Sequence, residues 1–124
     1  MHEINRISLE QIQKKFAADA DVRTFLQDAL LTFSTYAAAI YQMEIYIILT
    51  GNDVDPDEQA RLDEKRTNSH NAVIASIVNL NRICEKNGIT PIYAGTVSIN
   101  RPHRVEIADA VLAYVQSVLG NRVR

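Results

Sequence analysis

The stretch DPDEQARLDEKRTNSHNAVIASIVNLNRICEKNG, residues 55–88, contains both a helix start and a helix stop. Asp55 and Pro56 have the order of an N-cap followed by an N1 proline, and Glu58 adds an acidic residue to the first turn. At the other end, Asn87-Gly88 is typical of a helix terminus. The stretch therefore predicts one long helix over residues 55–87.

Three further helices are predicted around this one. Ser8 followed by Gln11 has the pattern of a capping box, which favours a short helix at the start of the chain. Apolar residues at helical spacing predict a second long helix, which Gly51 ends. Residues 89–100 have no helical period and predict a long, partly apolar loop before the last helix. The four predicted helices span residues 8–18, 21–50, 55–87 and 102–119.

These helices favour an all-α fold. The two long helices are joined only by residues 51–54, so they must pack side by side and antiparallel. A shorter helix at each end of the chain would then cover them. We predict a single domain over residues 1–124: an antiparallel up-and-down four-helix bundle with a long irregular loop before the last helix.

Composition narrows the class of protein. The net charge is −2 and no long Lys/Arg run is present, which argues against a dedicated duplex-binding protein. We therefore do not expect a nucleic-acid partner, although nucleic acid stays open as a substrate. The most apolar stretch, Ala37–Gly51, is interrupted by Gln42 and Glu44 and is too short to insert into a membrane. Cys84 is the single cysteine, so no intramolecular disulfide forms, and we expect it to be a small buried hydrophobe. With no signal-peptide pattern, we expect a cytoplasmic protein.

A cluster of polar residues interrupts the core-facing stripe of the third helix. The stripe is apolar in its C-terminal half, but its N-terminal half carries Asp63, Arg66 and His70. Glu44 lies on the core face of the second helix, where an ionised carboxylate needs a partner. We therefore predict a buried Glu44–Arg66 pair. All four side chains are predicted to line one polar pocket inside the bundle.

The sequence leaves four interpretations of this pocket open. The residues form an ion-pair network that fixes helix register, or the pocket receives a polar group from a partner protein. Alternatively, Glu44, Asp63 and His70 bind a divalent metal through carboxylate and imidazole ligands on facing helices, although the Glu-x-x-His pairs of di-iron bundles are absent. In the last interpretation, Arg66 and His70 hold a phosphate and supply an acid or base. The sequence by itself assigns no catalytic residue, metal or cofactor.

Two residues near the end of the third helix are predicted to anchor the following loop. Asn81 lies on the core face, and a buried irregular segment needs hydrogen-bond partners for its backbone. Arg82 lies on the outer flank, where it is either a solvated charge or a clamp on the loop. We therefore expect Asn81 and Arg82 to serve the structure rather than a reaction.

The end of the second helix is apolar around nearly its whole circumference. The residues concerned are Tyr41, Ile45, Tyr46, Ile48 and Leu49. Four helices with one short member do not cover that circumference, which leaves an apolar patch suited to a symmetric dimer. We therefore predict a protein partner, with a second copy of the chain as the candidate.

Between residues 60 and 95 the sequence contains four short motifs. They are Arg66-x-x-x-His70-Asn71-x-x-Ile74, Leu80-Asn81-Arg82, Gly88-Ile89 and Pro91-x-Tyr93. Together these motifs resemble a family of small uncharacterised helical proteins from Gram-positive bacteria. The resemblance implies a helical fold and no particular activity.

Two functional families are also similar in part. The size, the helices and the Gly-Ile-x-x-x-Tyr motif ending at Tyr93 resemble immunity proteins against pediocin-like bacteriocins, which implies recognition of a toxin-receptor complex by the C-terminal region. Arg66 and His70 resemble the Arg-x4–6-His motif of HEPN-type helical ribonucleases, although the spacer here is one residue shorter. We therefore expect a binding or interaction module, with bacteriocin immunity and a ribonuclease-like enzyme as the alternatives.

Overall fold

The computed structural model of the chain describes residues 2–97 and 104–119. This part of the chain contains four α-helices and no strand. The helices are α1 (Arg6–Lys15), α2 (Ala20–Thr50), α3 (Pro56–Lys86) and α4 (Arg104–Leu119). The all-α prediction is therefore confirmed, and residues 98–103, which include the end of the predicted loop, lie outside the described residues.

The helix ends follow local side-chain chemistry. Asp19 and Asp55 are the N-caps of α2 and α3. The side chain of Asp19 accepts from the N–H groups of Asp21 and Val22, and that of Asp55 accepts from the N–H of Asp57. Gly51 ends α2 with a φ of 58°, and Gly88 follows α3 with a φ of 66°. Both angles lie in the left-handed region, which glycine occupies without steric cost.

The first helix begins earlier than predicted. Its N-cap is Asn5, whose side chain accepts a hydrogen bond from the N–H of Ser8 at 3.1 Å. Ser8 lies inside the helix and is buried. The predicted Ser8–Gln11 capping box is therefore wrong. Both Asn5 and Ser8 are residue types that favour the N-cap position, and in the structure Asn5 occupies it.

The two long helices form the central hairpin. Three contacts join them in reversed sequence order: Tyr46 with Asp55, Gln42 with Lys65, and Tyr36 with His70. Around this hairpin, α4 packs on α2, and α1 packs on both α2 and α3. The largest fully buried apolar side chains of the core are Ile12, Phe33, Tyr36, Ile77, Leu80, Ile92, Tyr93 and Ile107.

The hairpin extends beyond the helices that cover it. Helices α2 and α3 have 31 residues each, whereas α1 has 10 and α4 has 16. We call residues 41–66 the hairpin tip. Most tip residues are exposed, including Ile45, Ile47, Ile48 and Leu49. Among the described helices, none combines the length and apolar character that crossing a bilayer requires.

Candidate functional site

The four residues of the predicted polar pocket lie in different environments. Glu44 is exposed, and within the described ranges no ion pair joins it to Arg66. Arg66 instead donates a hydrogen bond to the carboxylate of Asp63, one turn away on the same helix. The predicted buried Glu44–Arg66 pair is therefore wrong, and Asp63 with Arg66 is the pair that the structure brings together.

The reason for this error lies in the hairpin tip. Glu44 does project from the side of α2 that faces the core further down the helix, but at the tip this side is exposed to solvent. A carboxylate that keeps its water needs no buried partner. The polar residues in the N-terminal half of α3 are tolerated for the same reason, because Asp63 also lies in the exposed part of the hairpin.

His70 lies in the core between the two long helices. Its side chain is 1% exposed and packs edge-to-face against Tyr36, with 5.6 Å between the ring centroids and 68° between the ring planes. Arg66 by contrast is partly exposed. A ribonuclease using both residues would need them to reach one phosphate, so this geometry does not favour the phosphate interpretation.

A metal site is not favoured either. Across residues 2–97 and 104–119, no group of three or more His, Cys, Asp or Glu side chains is arranged to hold a metal ion. In particular, Glu44 is exposed at the tip while His70 is buried. Divalent metals in helical bundles are held by ligands that converge from facing helices, and these two side chains do not offer that arrangement.

Asn81 connects α3 to the loop that follows it. The side-chain oxygen accepts hydrogen bonds from the N–H groups of Ile92 at 2.9 Å and Tyr93 at 3.4 Å, and the side-chain nitrogen donates to the carbonyl of Tyr93 at 3.1 Å. The carbonyl of Ile92 also accepts from the N–H of Asn5 at 2.7 Å. One amide side chain thus supplies the hydrogen bonds that this irregular segment lacks.

Other residues of this region have structural roles. Tyr93 is buried, and a Cβ at Gly95 would lie 2.6 Å from its ring, so only glycine fits at that position. The Gly-Ile-x-x-x-Tyr motif therefore belongs to the packing of the loop. Arg82 is exposed and has no hydrogen bond or ion pair with any described residue. Cys84 is buried as predicted, and burial raises the pKa of its thiol, which keeps it protonated at neutral pH.

The most distinctive surface is a stripe of apolar and small residues along the outside of α2. We call it the α2 stripe; its members are Leu31, Ser34, Ala38, Tyr41, Ile45 and Ile48. Leu31 is 67% exposed, Ile45 54% and Ile48 78%. Large apolar side chains are seldom this exposed along one continuous helical face of a monomer.

The spacing of the α2 stripe is that of a coiled-coil seam. Its members alternate by three and four residues, which is the a/d pattern of a heptad repeat. The apolar patch predicted from the sequence includes the end of this helix but not Leu31, Ser34 and Ala38. The alternation by three and four residues can be read from the sequence. It is hard to distinguish there because the same helix also carries core-facing apolar residues, such as Phe33.

The surroundings of the stripe are acidic. Residues 24–60 contain six acidic residues, Asp28, Glu44, Asp53, Asp55, Asp57 and Glu58, and no lysine or arginine, so the formal charge of this segment is −6. One hydrogen bond ties the stripe to α4, since the Nε2 of Gln116 donates to the hydroxyl of Tyr41 at 2.6 Å. The stripe is thus an apolar surface on a segment of the chain that has no basic residue.

The fold and these surfaces define a small all-α domain that presents an apolar helical face to solvent. The family model described as "Protein of unknown function (DUF3232)" matches residues 3–124, and the chain belongs to this family. No curated protein matches the chain, and no solved structure does. Because the family description assigns no function, a function has to be inferred from the surfaces of the chain itself.

Proposed function

We propose that the protein is a small interaction module that associates with a second copy of itself through the α2 stripe. The observation that carries the proposal is the combination of a/d spacing with high exposure on one face of α2. Exposed apolar side chains on a monomer cost free energy, and burying them between two helices removes that cost. A seam with a/d spacing is suited to pairing with another helix.

The charge around the stripe favours a protein partner over a lipid surface. Helices that lie on membranes carry Lys and Arg beside their apolar face, because biological membranes have anionic headgroups. Residues 24–60 carry a formal charge of −6, from six acidic and no basic residues. An anionic bilayer would repel this segment.

The sequence of the stripe favours an antiparallel pair of α2 helices related by a two-fold axis. In that arrangement each a position faces a d position of the second copy. The facing pairs are Leu31 with Ile48, Ser34 with Ile45, and Ala38 with Tyr41. Two of these pairs match a small residue with a large one, and the third joins two exposed aliphatic residues, so the surface is complementary to itself.

Charge also favours the antiparallel orientation. A parallel pair would set the two acidic hairpin tips side by side, and like charges at close range are unfavourable. An antiparallel pair instead sets the two acidic tips at opposite ends of the interface. The self-pairing that matches apolar residues thus also separates the like charges.

Sedimentation equilibrium across a range of concentrations tests the proposal. The monomer mass is 13.9 kDa, and we expect the wild type to reach twice this value in the micromolar range. Ile48→Glu, which buries a charge in the seam, should remain monomeric. Ala72→Glu adds the same charge at an exposed position of α3 and is the matched control, for which we expect wild-type dimerisation. A wild type that stays monomeric at high micromolar concentration would refute the dimer.

Disulfide cross-linking tests the orientation. An equimolar mixture of Leu31→Cys and Ile48→Cys chains should form a cross-linked heterodimer under mild oxidation, because these positions face each other in the antiparallel pair. Ile48→Cys alone should not cross-link to itself. Efficient self-linking of Ile48→Cys would instead establish a parallel pair and overturn the antiparallel register.

A further inference from the structure

A groove that shares no residue with the α2 stripe lies between α1, the first half of α2 and α4. Its volume is about 540 Å³, within the range of roughly 300–1,000 Å³ typical of small-molecule sites. Five large apolar residues line it, and we call them the apolar floor: Leu9, Leu26, Leu30, Phe33 and Val118. The groove therefore has the size of a small-molecule site and offers both apolar and polar side chains to a ligand.

The charged residues at the edge of the groove give its lining a net positive charge. Arg6 and Arg23 both line it and both are exposed, and the guanidinium of neither makes an ion pair or hydrogen bond with a described residue. Glu10 is the single acidic lining residue, so the lining carries a formal charge of +1 (two basic residues and one acidic residue). Two arginines without carboxylate partners favour an anionic group at the edge.

The hydroxyl of Tyr114 adds a polar group beside the apolar floor. Burial raises the pKa of its phenol, while the charge of Arg6 lowers it and that of Glu10 raises it, and all three residues line the groove. The ring also packs edge-to-face against Phe33, with 5.8 Å between the centroids. The tyrosine thus marks the boundary between the apolar floor and the charged edge.

We propose that this groove binds a single-chain amphipathic carboxylate, such as a medium-chain fatty acid. The apolar tail would lie on the floor beside Leu26 and Leu30, where it is removed from water. The carboxylate would lie at the edge, where a guanidinium forms charge-assisted hydrogen bonds with carboxylate oxygens. A small inorganic anion would leave the floor uncovered, and a neutral or cationic chain would leave the two arginines without a partner.

Titration calorimetry with decanoate, below its micelle concentration, tests this proposal. We expect decanoate to bind with a stoichiometry of one per chain, and acetate, decanol and decylamine to bind at least about tenfold more weakly, since each lacks one of the two features that the groove recognises. Because this comparison uses only the wild-type protein, it does not depend on the folding of any variant.

Variants locate the site. Arg6→Gln and Arg23→Gln should each weaken decanoate binding by about tenfold, the effect of losing one charge-assisted hydrogen bond. Arg61→Gln is the matched control, because Arg61 is also exposed but is paired with Glu58 on α3, and it should bind like the wild type. Ile48→Glu should also bind like the wild type, which separates this groove from the proposed dimer.

Four results would overturn the proposal. They are the absence of binding, equal binding of decanoate and decanol, decanoate binding that survives both arginine substitutions, and binding to anionic phospholipid vesicles without binding to free decanoate. The last result would assign the groove to a membrane surface rather than to a free carboxylate.

Discussion

At the scale of single residues, the side chain of Asn81 holds the loop that follows α3. It makes hydrogen bonds with the backbone of Ile92 and Tyr93, two buried residues of an irregular segment. Backbone groups in such a segment have no helix or sheet partner, so losing the amide would leave them without their hydrogen bonds. The position of Asn81 on the core face of α3 was visible in the sequence; the identity of its partners required the structure.

The first prediction concerns this amide. Asn81→Leu keeps the approximate shape of the side chain but removes its hydrogen bonds, and we expect the free energy of unfolding to fall by about 2–3 kcal/mol. Urea denaturation followed by circular dichroism measures the change. Asn79→Leu, at an exposed position of the same helix, is the control and should change the stability by less than about 0.5 kcal/mol. Equal effects of the two substitutions would show that Asn81 does not hold the loop.

Glu44, Arg66 and His70 show where residue-scale prediction failed. A helical wheel gives the direction of a side chain, but it does not reveal whether another helix covers that direction. Glu44 and His70 were both predicted to line one pocket, yet Glu44 is in solvent and His70 is among the most buried side chains. The difference between them is their distance from the end of the hairpin, which is a property of the whole fold.

At the scale of elements, helix starts and stops were largely predictable because each depends on a few neighbouring residues. The predicted bounds of α2 and α3 lie within one residue of those observed. For α1 the two ends differ by two and three residues, since residues 8–18 were predicted and Arg6–Lys15 is observed. Two overlapping capping patterns preceded this helix, and local sequence did not decide between them.

The second prediction distinguishes those two patterns. Asn5→Ala removes the side chain that accepts from the N–H of Ser8, and we expect a loss of about 1 kcal/mol of stability, the usual effect of deleting an N-cap. Gln11→Ala removes the glutamine of the alternative capping box and should leave the stability within about 0.5 kcal/mol of the wild type. Thermal denaturation of both variants measures the difference. A larger loss for Gln11→Ala would restore the capping box as the start of α1.

At the scale of the whole molecule, unequal helix lengths explain most of what the sequence could not show. Two helices of 31 residues project beyond partners of 10 and 16 residues. The projecting part exposes both the polar N-terminal half of α3 and the apolar C-terminal end of α2. The all-helical class followed from periodicity alone, whereas the up-and-down path of all four helices stays a prediction.

The same geometry provides the reason for the proposed dimer. A hairpin with an apolar stripe on one helix and charged residues on the other has one side that favours burial and one that favours solvent. Pairing two α2 stripes would bury the apolar side chains of α2 that α1 and α4 leave exposed. Dimerisation and folding would then be linked, because each copy stabilises the other by mass action.

The third prediction follows from this linkage between folding and dimerisation. The thermal midpoint of the wild type should rise with protein concentration, whereas that of Ile48→Glu should be independent of it. A midpoint of the wild type that does not change with concentration would contradict the linkage.

The fourth prediction concerns salt. The proposed antiparallel pair is held by an apolar seam and keeps the two acidic hairpin tips apart, so screening of charge should change its stability little. The Debye length falls from about 30 Å at 0.01 M to about 8 Å at 0.15 M sodium chloride. We expect the dimer dissociation constant, measured by sedimentation, to stay nearly constant over this range. A steep decrease with salt would show that the acidic tips lie side by side, as in a parallel pair, and a steep increase would show that attractive ion pairs hold the two copies together.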